Sequence, residues 1–349
     1  MPEENGYEGY LAIRNSVALE EETDLHCLLI KGKDAFKILD QICPCNVFLQ
    51  NGQMKHTLLL DEHAVPFADV YICRKWEDAY LLGYWPSSIN MIDWINRHQG
   101  SVSDYAIIDL NESNFFLTLN GPYAWELCAN AIGPEILGMP YLSIMMQNFG
   151  MVFRAGITGE YGYHLMFPAE QKKEWTDLLL EAGKPFDLVV TDRTARAQCT
   201  LENFFFDLNR EGQHLLTPPE LQLQWRLSRQ KEKYPGSEAM QSIREKGWNK
   251  RLTCFITKNS AQVNDEIIYE KESVGRVISI GYSPLRKEFI GKALIEKPFW
   301  HAGLSGFHIN NQELETISAP AIDNRSIHVN LNLDSYFTRN ENHDESLRQ

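Results

Sequence analysis

The sequence predicts an α+β fold closed by a small all-β domain, and three observations carry that prediction. Short apolar runs with strand alternation come in hairpin pairs. Amphipathic helical segments separate the pairs. From residue 251 on, short strands punctuated by Gly275, Gly281, Gly291, Gly303 and Gly306 follow without a helical pattern, as in a small barrel or jelly roll. Neither a dinucleotide-binding glycine turn nor a phosphate-binding loop is present, so a doubly wound nucleotide-binding sheet has no support.

Taken in order, residues 25–30 read as a strand and 34–42 as a helix, with Pro44 just past its end. Residues 56–60, 67–73 and 79–84 read as strands, the last two joined around Trp76-Glu77-Asp78. Ser88 or Asn90 can cap a helix carrying Met91, Ile92, Trp94 and Ile95, which ends near Gly100. Strands at 105–110 and 115–119 precede the Gly121-Pro122 break, and a helix through Ala124, Leu127, Cys128 and Ala131 stops at Gly133-Pro134. Strands around 145–153 and 163–167 follow. Residues 170–181 form an amphipathic helix with Trp175, Leu178 and Leu179 turned inward, and a longer helix is expected over 192–208. Leu221, Leu223, Trp225 and Leu227 alternate like a half-buried strand, and 228–251, with Pro235-Gly236, reads as a connector. The division expected is 1–250, 251–333 and a polar, disordered tail at 334–349.

With 47 acidic against 33 basic residues the net charge is −14, a surface that repels phosphate backbones, so nucleic acid is not an expected partner. No apolar run approaches the length of a membrane span, and the amino terminus has no secretion-signal pattern, so a cytoplasmic location is expected. Seven scattered cysteines suit buried thiols in a reducing compartment; Cys43-Pro44-Cys45 lacks the spacing of a zinc or redox pair and reads as structural. His56, His63, Asp69 and His164 match no recognised metal signature, and no metal is expected.

The stretch richest in chemistry is Gly156 to Pro168. Three glycines in seven residues mark a tight turn or a close approach to the backbone, and Tyr163, Leu165 and Phe167 then alternate with His164 and Met166. Glu160 and His164 are its polar contacts; the bland alternative is a hairpin with incidental charges.

The ordered pieces resemble the aminomethyltransferase family, which includes the T-protein of the glycine cleavage system, over roughly 12–330. The resemblance rests on Ala12-Ile13-Arg14, Gly121-Pro122, Thr158-Gly159-Glu160 with Gly162-Tyr163, Ala195-Arg196 with Leu201-Glu202, and Trp225. Gly236-Ser237-Glu238-Ala239, Gly281-Tyr282-Ser283-Pro284 and Ile290-Gly291 complete it. It implies two ferredoxin-like units in pseudo-twofold arrangement plus the C-terminal barrel, around a central folate channel. Family members place two adjacent Asp residues in the early hairpin, the first catalytic; Ala68 falls there and only Asp69 remains. The pterin-binding Glu falls at His164 and a pocket-wall Tyr at His56. The family's Phe-Asp-x-Ser-His stretch becomes Glu20-Glu21-Glu22-Thr23-Asp24.

His56, His164 and Asp69 are therefore the catalytic candidates, and Glu160, Tyr163, Arg196 and Trp225 the cofactor-binding ones, with tetrahydrofolate as the implied cofactor. Each has a plainer reading. Asp69 could pair with a cation, Glu160 could serve its own loop, Arg196 could pair with Glu202 or Asp192, and Trp225 could be core. The run Glu20-Glu21-Glu22 reads as a solvated face and Phe204-Phe205-Phe206 as a buried helix segment. The leading functional reading is a divergent enzyme moving a methyl or methylene group between a small molecule and tetrahydrofolate. The alternatives are folate-free acid–base chemistry on a small metabolite, such as cyclisation or elimination, and a non-catalytic binding protein. A carrier-protein partner has no sequence support.

Overall fold

The computed structural model describes residues 4–85 and 89–339, and its contacts divide the chain into two compact units, each discontinuous in sequence. One comprises Met1–Thr23, Asn111–Thr200 and Asp323–Gln349; the other comprises Asp24–Leu110 and Leu201–Ile322.

The first unit is built on a six-stranded sheet in the order Val189–Thr191, Ala18–Glu21, Asn114–Asn120, Gly162–Pro168, Gly150–Arg154, Ser143–Gln147. The first pairing is parallel and the rest antiparallel. Strand alternation sends Leu117, Leu119, Tyr163, Leu165 and Phe167 into an apolar core with Leu127 and Cys128 of helix Ala124–Ile132 and Leu179 of helix Lys172–Gly183. Helix Glu4–Asn15 packs through Tyr10 and Ile13 on Ala195 and Cys199 of helix Arg193–Glu202. Gly121 has φ +143°, and a Cβ there would stand 2.3 Å from the Ser16 carbonyl oxygen, so this turn requires glycine.

The second unit holds a five-stranded antiparallel sheet, Met54–Leu60, Pro66–Trp76, Ala79–Trp85, His26–Lys31, Ala106–Asp109. One face packs on helices Ala35–Ile42 and Met91–Arg97. Leu58 and Leu60 lie instead in a cluster with Leu223, Leu227, Leu252, Ile278 and Leu294. The same unit contains a closed six-stranded barrel of strands between Lys250 and Ile317, the small barrel expected from the sequence.

Several expectations are corrected. The helix expected to run to 208 ends at Glu202, because Phe204 takes a left-handed conformation (φ +61°) that breaks the helical path. The alternating stretch at 221–227 is not a strand but a loop with a 3₁₀ turn, Gln224–Arg226, which turns Arg226 inward and leaves Trp225 70% exposed. The presumed connector contains helix Ser237–Lys246. Leu178 faces out, whereas Leu179 is buried. Asn90 caps its helix by accepting from the Asp93 N–H; Ser88 lies outside the described residues. Residues 334–339 of the expected tail are structured, with Tyr336 buried against Tyr123 and Phe186 and Glu126 accepting from the Tyr336 N–H at 2.7 Å, and 340–349 lie outside the described residues. Among the described residues, no helix is long and apolar enough to cross a membrane.

Candidate functional site

Two buried clusters, one in each unit, contain the histidines singled out from the sequence. In the unit with the barrel, strand register sets Leu58 opposite Asp69 and His56 opposite Tyr71, so Asp69 and His56 are diagonal neighbours on one face of the sheet. His56 Nε2 lies 2.6 Å from Asp69 Oδ1, and Arg226 Nη1 donates to the same oxygen at 2.8 Å. Burial alone would raise the Asp69 pKa, but the charge of Arg226 and the contacts with His56 and Arg226 bring it below the ordinary carboxylate range. An ionised carboxylate only accepts, so His56 carries a hydrogen on Nε2. Tyr71 packs on the His56 ring at 4.3 Å between centroids, and the Arg226 guanidinium carbon lies over the Trp225 ring, 5.3 Å from its centroid.

This register corrects the reading of Ala68. Ala68 is fully buried on the helix-covered face of the sheet, with Val70, Ile72 and Leu39, so a carboxylate there would enter hydrocarbon. The carboxylate on the polar face of this strand is Asp69. Ala68→Asp is therefore expected to destabilise the protein by about 3 kcal/mol or more rather than restore an active site, as denaturant titration would measure.

In the other unit, register places Glu20, Thr118 and His164 side by side on three adjacent strands, opposite the apolar core. Arg196 donates to both oxygens of Glu20 at 2.9–3.1 Å, and its Nη1 lies 3.1 Å from Glu22 Oε1. Glu22 Oε2 in turn accepts from Thr118 Oγ1 at 2.7 Å and faces His164 Nδ1 at 2.7 Å. The glutamate run read as a solvated face is thus corrected: Glu20 and Glu22 are each 2% exposed, while Glu21 between them points outward. The period of two in that run was the available signal. Arg196, expected to meet a ligand anion or pair with Glu202 or Asp192, holds these two glutamates instead. Glu202, which belongs with Ser283 to the barrel unit, accepts from Ser283 Oγ at 2.6 Å.

Burial pushes the Glu22 pKa up, but Arg196, His164 and Thr118 more than offset it, leaving the carboxyl well below its ordinary value of 4.5. A group with a depressed folded pKa adds stability that is complete above its unfolded pKa and is lost as pH falls through the folded one. Stability is therefore expected to fall with acidification below about pH 4.5, and Glu22→Gln should flatten that slope in pH-dependent denaturant titrations.

Two further candidates serve the fold. Tyr163, expected to bind cofactor, lies on the opposite face from His164; its ring is in the apolar core, burial raises its pKa, and its hydroxyl has no hydrogen-bond partner among the described residues. Glu160 accepts from Arg14 Nη1 and the Arg325 N–H, both at 3.2 Å, and from the Ser326 N–H at 2.7 Å and Oγ at 2.6 Å. It thereby anchors the segment that starts at 323. The glycines of this loop let its own strands meet: a Cβ on Gly162 would stand 2.5 Å from the Ala155 carbonyl oxygen. The sequence reading missed Arg226, for which the leucine alternation around it gave no signal. All seven cysteines are buried and free, and burial raises the Cys43 and Cys45 thiols.

A family profile described as the GCVT N-terminal domain matches residues 6–231. An aminomethyltransferase of Thermotoga petrophila is 24% identical over 299 residues, covering 83% of this chain and 81% of that protein. One from Clostridium botulinum strain Kyoto is 23% identical over 333 residues, covering 91% and 89%. The crystal structure of the glycine cleavage system aminomethyltransferase T from Bartonella henselae superposes with a TM-score of 0.81 at 19% identity, covering 91% of this chain and 90% of that one.

Proposed function

Because the chain belongs to the GCVT family, matched over residues 6–231, we propose that it is a transferase that moves a methyl or methylene group between a small molecule and tetrahydrofolate. The observation that carries this reading is Asp69: a buried, ionised carboxylate survives on the polar face of the hairpin, although Ala68 had suggested its loss.

The residues around Asp69 fit a reduced folate. Among the described residues, His56 and Arg226 both engage Oδ1, and Oδ2 is the oxygen offered to a ligand. Tetrahydrofolate, when bound, supplies the nitrogen that carries the one-carbon unit. Asp69 holds or returns a proton at Oδ2, as general acid–base catalysis in a water-poor site requires. Arg226 keeps that carboxylate ionised between turnovers, and His56 fixes its orientation. Trp225 offers an exposed apolar face for a planar ring.

One observation favours the folate-free alternative: Arg196, expected to meet an anion of the cofactor, is committed to Glu20 and Glu22. Calorimetric titration with tetrahydrofolate and its 5-methyl form separates the two. Micromolar affinity supports the transferase, whereas no binding at millimolar ligand removes it and leaves acid–base chemistry on another metabolite.

A further inference from the structure

We infer that Arg226 is a receptor for a carboxylate on the small molecule handled beside Asp69. The guanidinium is almost wholly buried, with a side-chain exposure of 2%. Its Nη1 donates to Asp69 Oδ1 at 2.8 Å. Its central carbon lies over the Trp225 ring, 5.3 Å from the centroid. The remaining edge, formed by Nε–H and Nη2, makes no hydrogen bond to any described residue, and Nε is buried. That edge presents two parallel N–H groups in the geometry that grips a carboxylate through both oxygens.

A buried cationic donor left without an acceptor is costly, and native structures keep such groups where a ligand or ion completes them. The arrangement also meets the electrostatic objection that Asp69 is itself negative. Asp69 engages Nη1 through one oxygen, and the Nε–Nη2 edge points another way, so a second carboxylate can share the guanidinium without sharing Asp69's position. A ligand seated there would have its anionic end fixed and the atoms next to it held close to Asp69 Oδ2. The sequence offered no hint of this, because Arg226 reads there as the polar residue between Trp225 and Leu227 of an alternating stretch.

The use of this site rests on the proposed transfer at Asp69, but the binding of a carboxylate does not. The test follows the Arg226 Nε–H resonance by ¹⁵N–¹H NMR during titration of the full chain with acetate, with acetamide as the uncharged control. Acetate at millimolar concentration is expected to shift that resonance and acetamide to leave it in place. Arg226→Lys keeps a cation for Asp69 but loses the planar edge, so calorimetry should show acetate binding weakened by about tenfold or more. Equal shifts with acetate and acetamide, no shift with either, or full acetate affinity in Arg226→Lys would overturn the assignment. Tetrahydrofolate is titrated into the same samples. If acetate binds and tetrahydrofolate does not, the carboxylate site stands and the transferase reading fails. If tetrahydrofolate binds and acetate does not, the carboxylate site alone falls.

Discussion

Asp69→Asn is expected to lower one-carbon transfer by about 10²- to 10⁴-fold while leaving the chain folded. The amide keeps the shape of the carboxylate and can still accept from Arg226, but it cannot hold a proton at the second oxygen. Asp69→Ala goes further. Both changes remove the negative charge, but Ala also leaves the buried Arg226 guanidinium, 2% exposed, without the acceptor that lies 2.8 Å away, so a loss of about 3–5 kcal/mol in folding stability is expected as well. Comparing the two variants by rate measurement and denaturant titration separates chemistry from folding. A retained rate in Asp69→Asn would take Asp69 out of the reaction.

Arg196→Met is expected to cost about 3–5 kcal/mol in folding stability. It removes the cation from between Glu20 and Glu22, whose side chains are 3% and 0% exposed, and leaves two buried carboxylates facing each other's charge. Removing the charges together reverses much of this. A triple variant, Arg196→Met with Glu20→Gln and Glu22→Gln, should regain a large part of the loss, because no ion is then left alone in a low-dielectric interior. Denaturant midpoints of the single and triple variants measure the coupling directly. If Arg196→Met were as stable as the native chain, the three-residue network would have no energetic role.

The elements that the sequence revealed are those whose pattern is local. Helix Ala35–Ile42 buries Ala35, Ile38, Leu39 and Ile42 at helical spacing, and the hairpin Pro66–Trp76 to Ala79–Trp85 shows its turn as Glu77-Asp78, with Asp78 at φ +55°. The barrel was legible from its glycines for the same reason. The elements that misled are those where tertiary partners override the pattern. Leu221, Leu223 and Leu227 alternate yet fold as a turn, because Arg226 must reach Asp69, 157 positions earlier. Glu20 and Glu22 look like a solvated run, yet they are buried because Arg196 arrives from a helix 176 residues away to neutralise them.

The site shows the same division. His56, Asp69, His164 and Arg196 were identified from the sequence, but their partners were not. A carboxylate two strand positions from a histidine on the neighbouring strand leaves no mark in a linear pattern; only strand register joins Asp69 to His56. Register also moved the weight from Ala68 to Asp69, because adjacent residues of a strand face opposite sides. One side here is hydrocarbon and the other carries His56 and Arg226.

A crystal structure of the chain with 5-methyltetrahydrofolate tests the role of Asp69 most directly. The expected result is the reduced pterin bound on the His56–Asp69 face of the sheet, with a ring nitrogen within hydrogen-bond reach, about 3 Å, of Asp69 Oδ2. Ligand bound away from this face, or none bound at saturating concentration, would contradict a folate-linked transfer at Asp69.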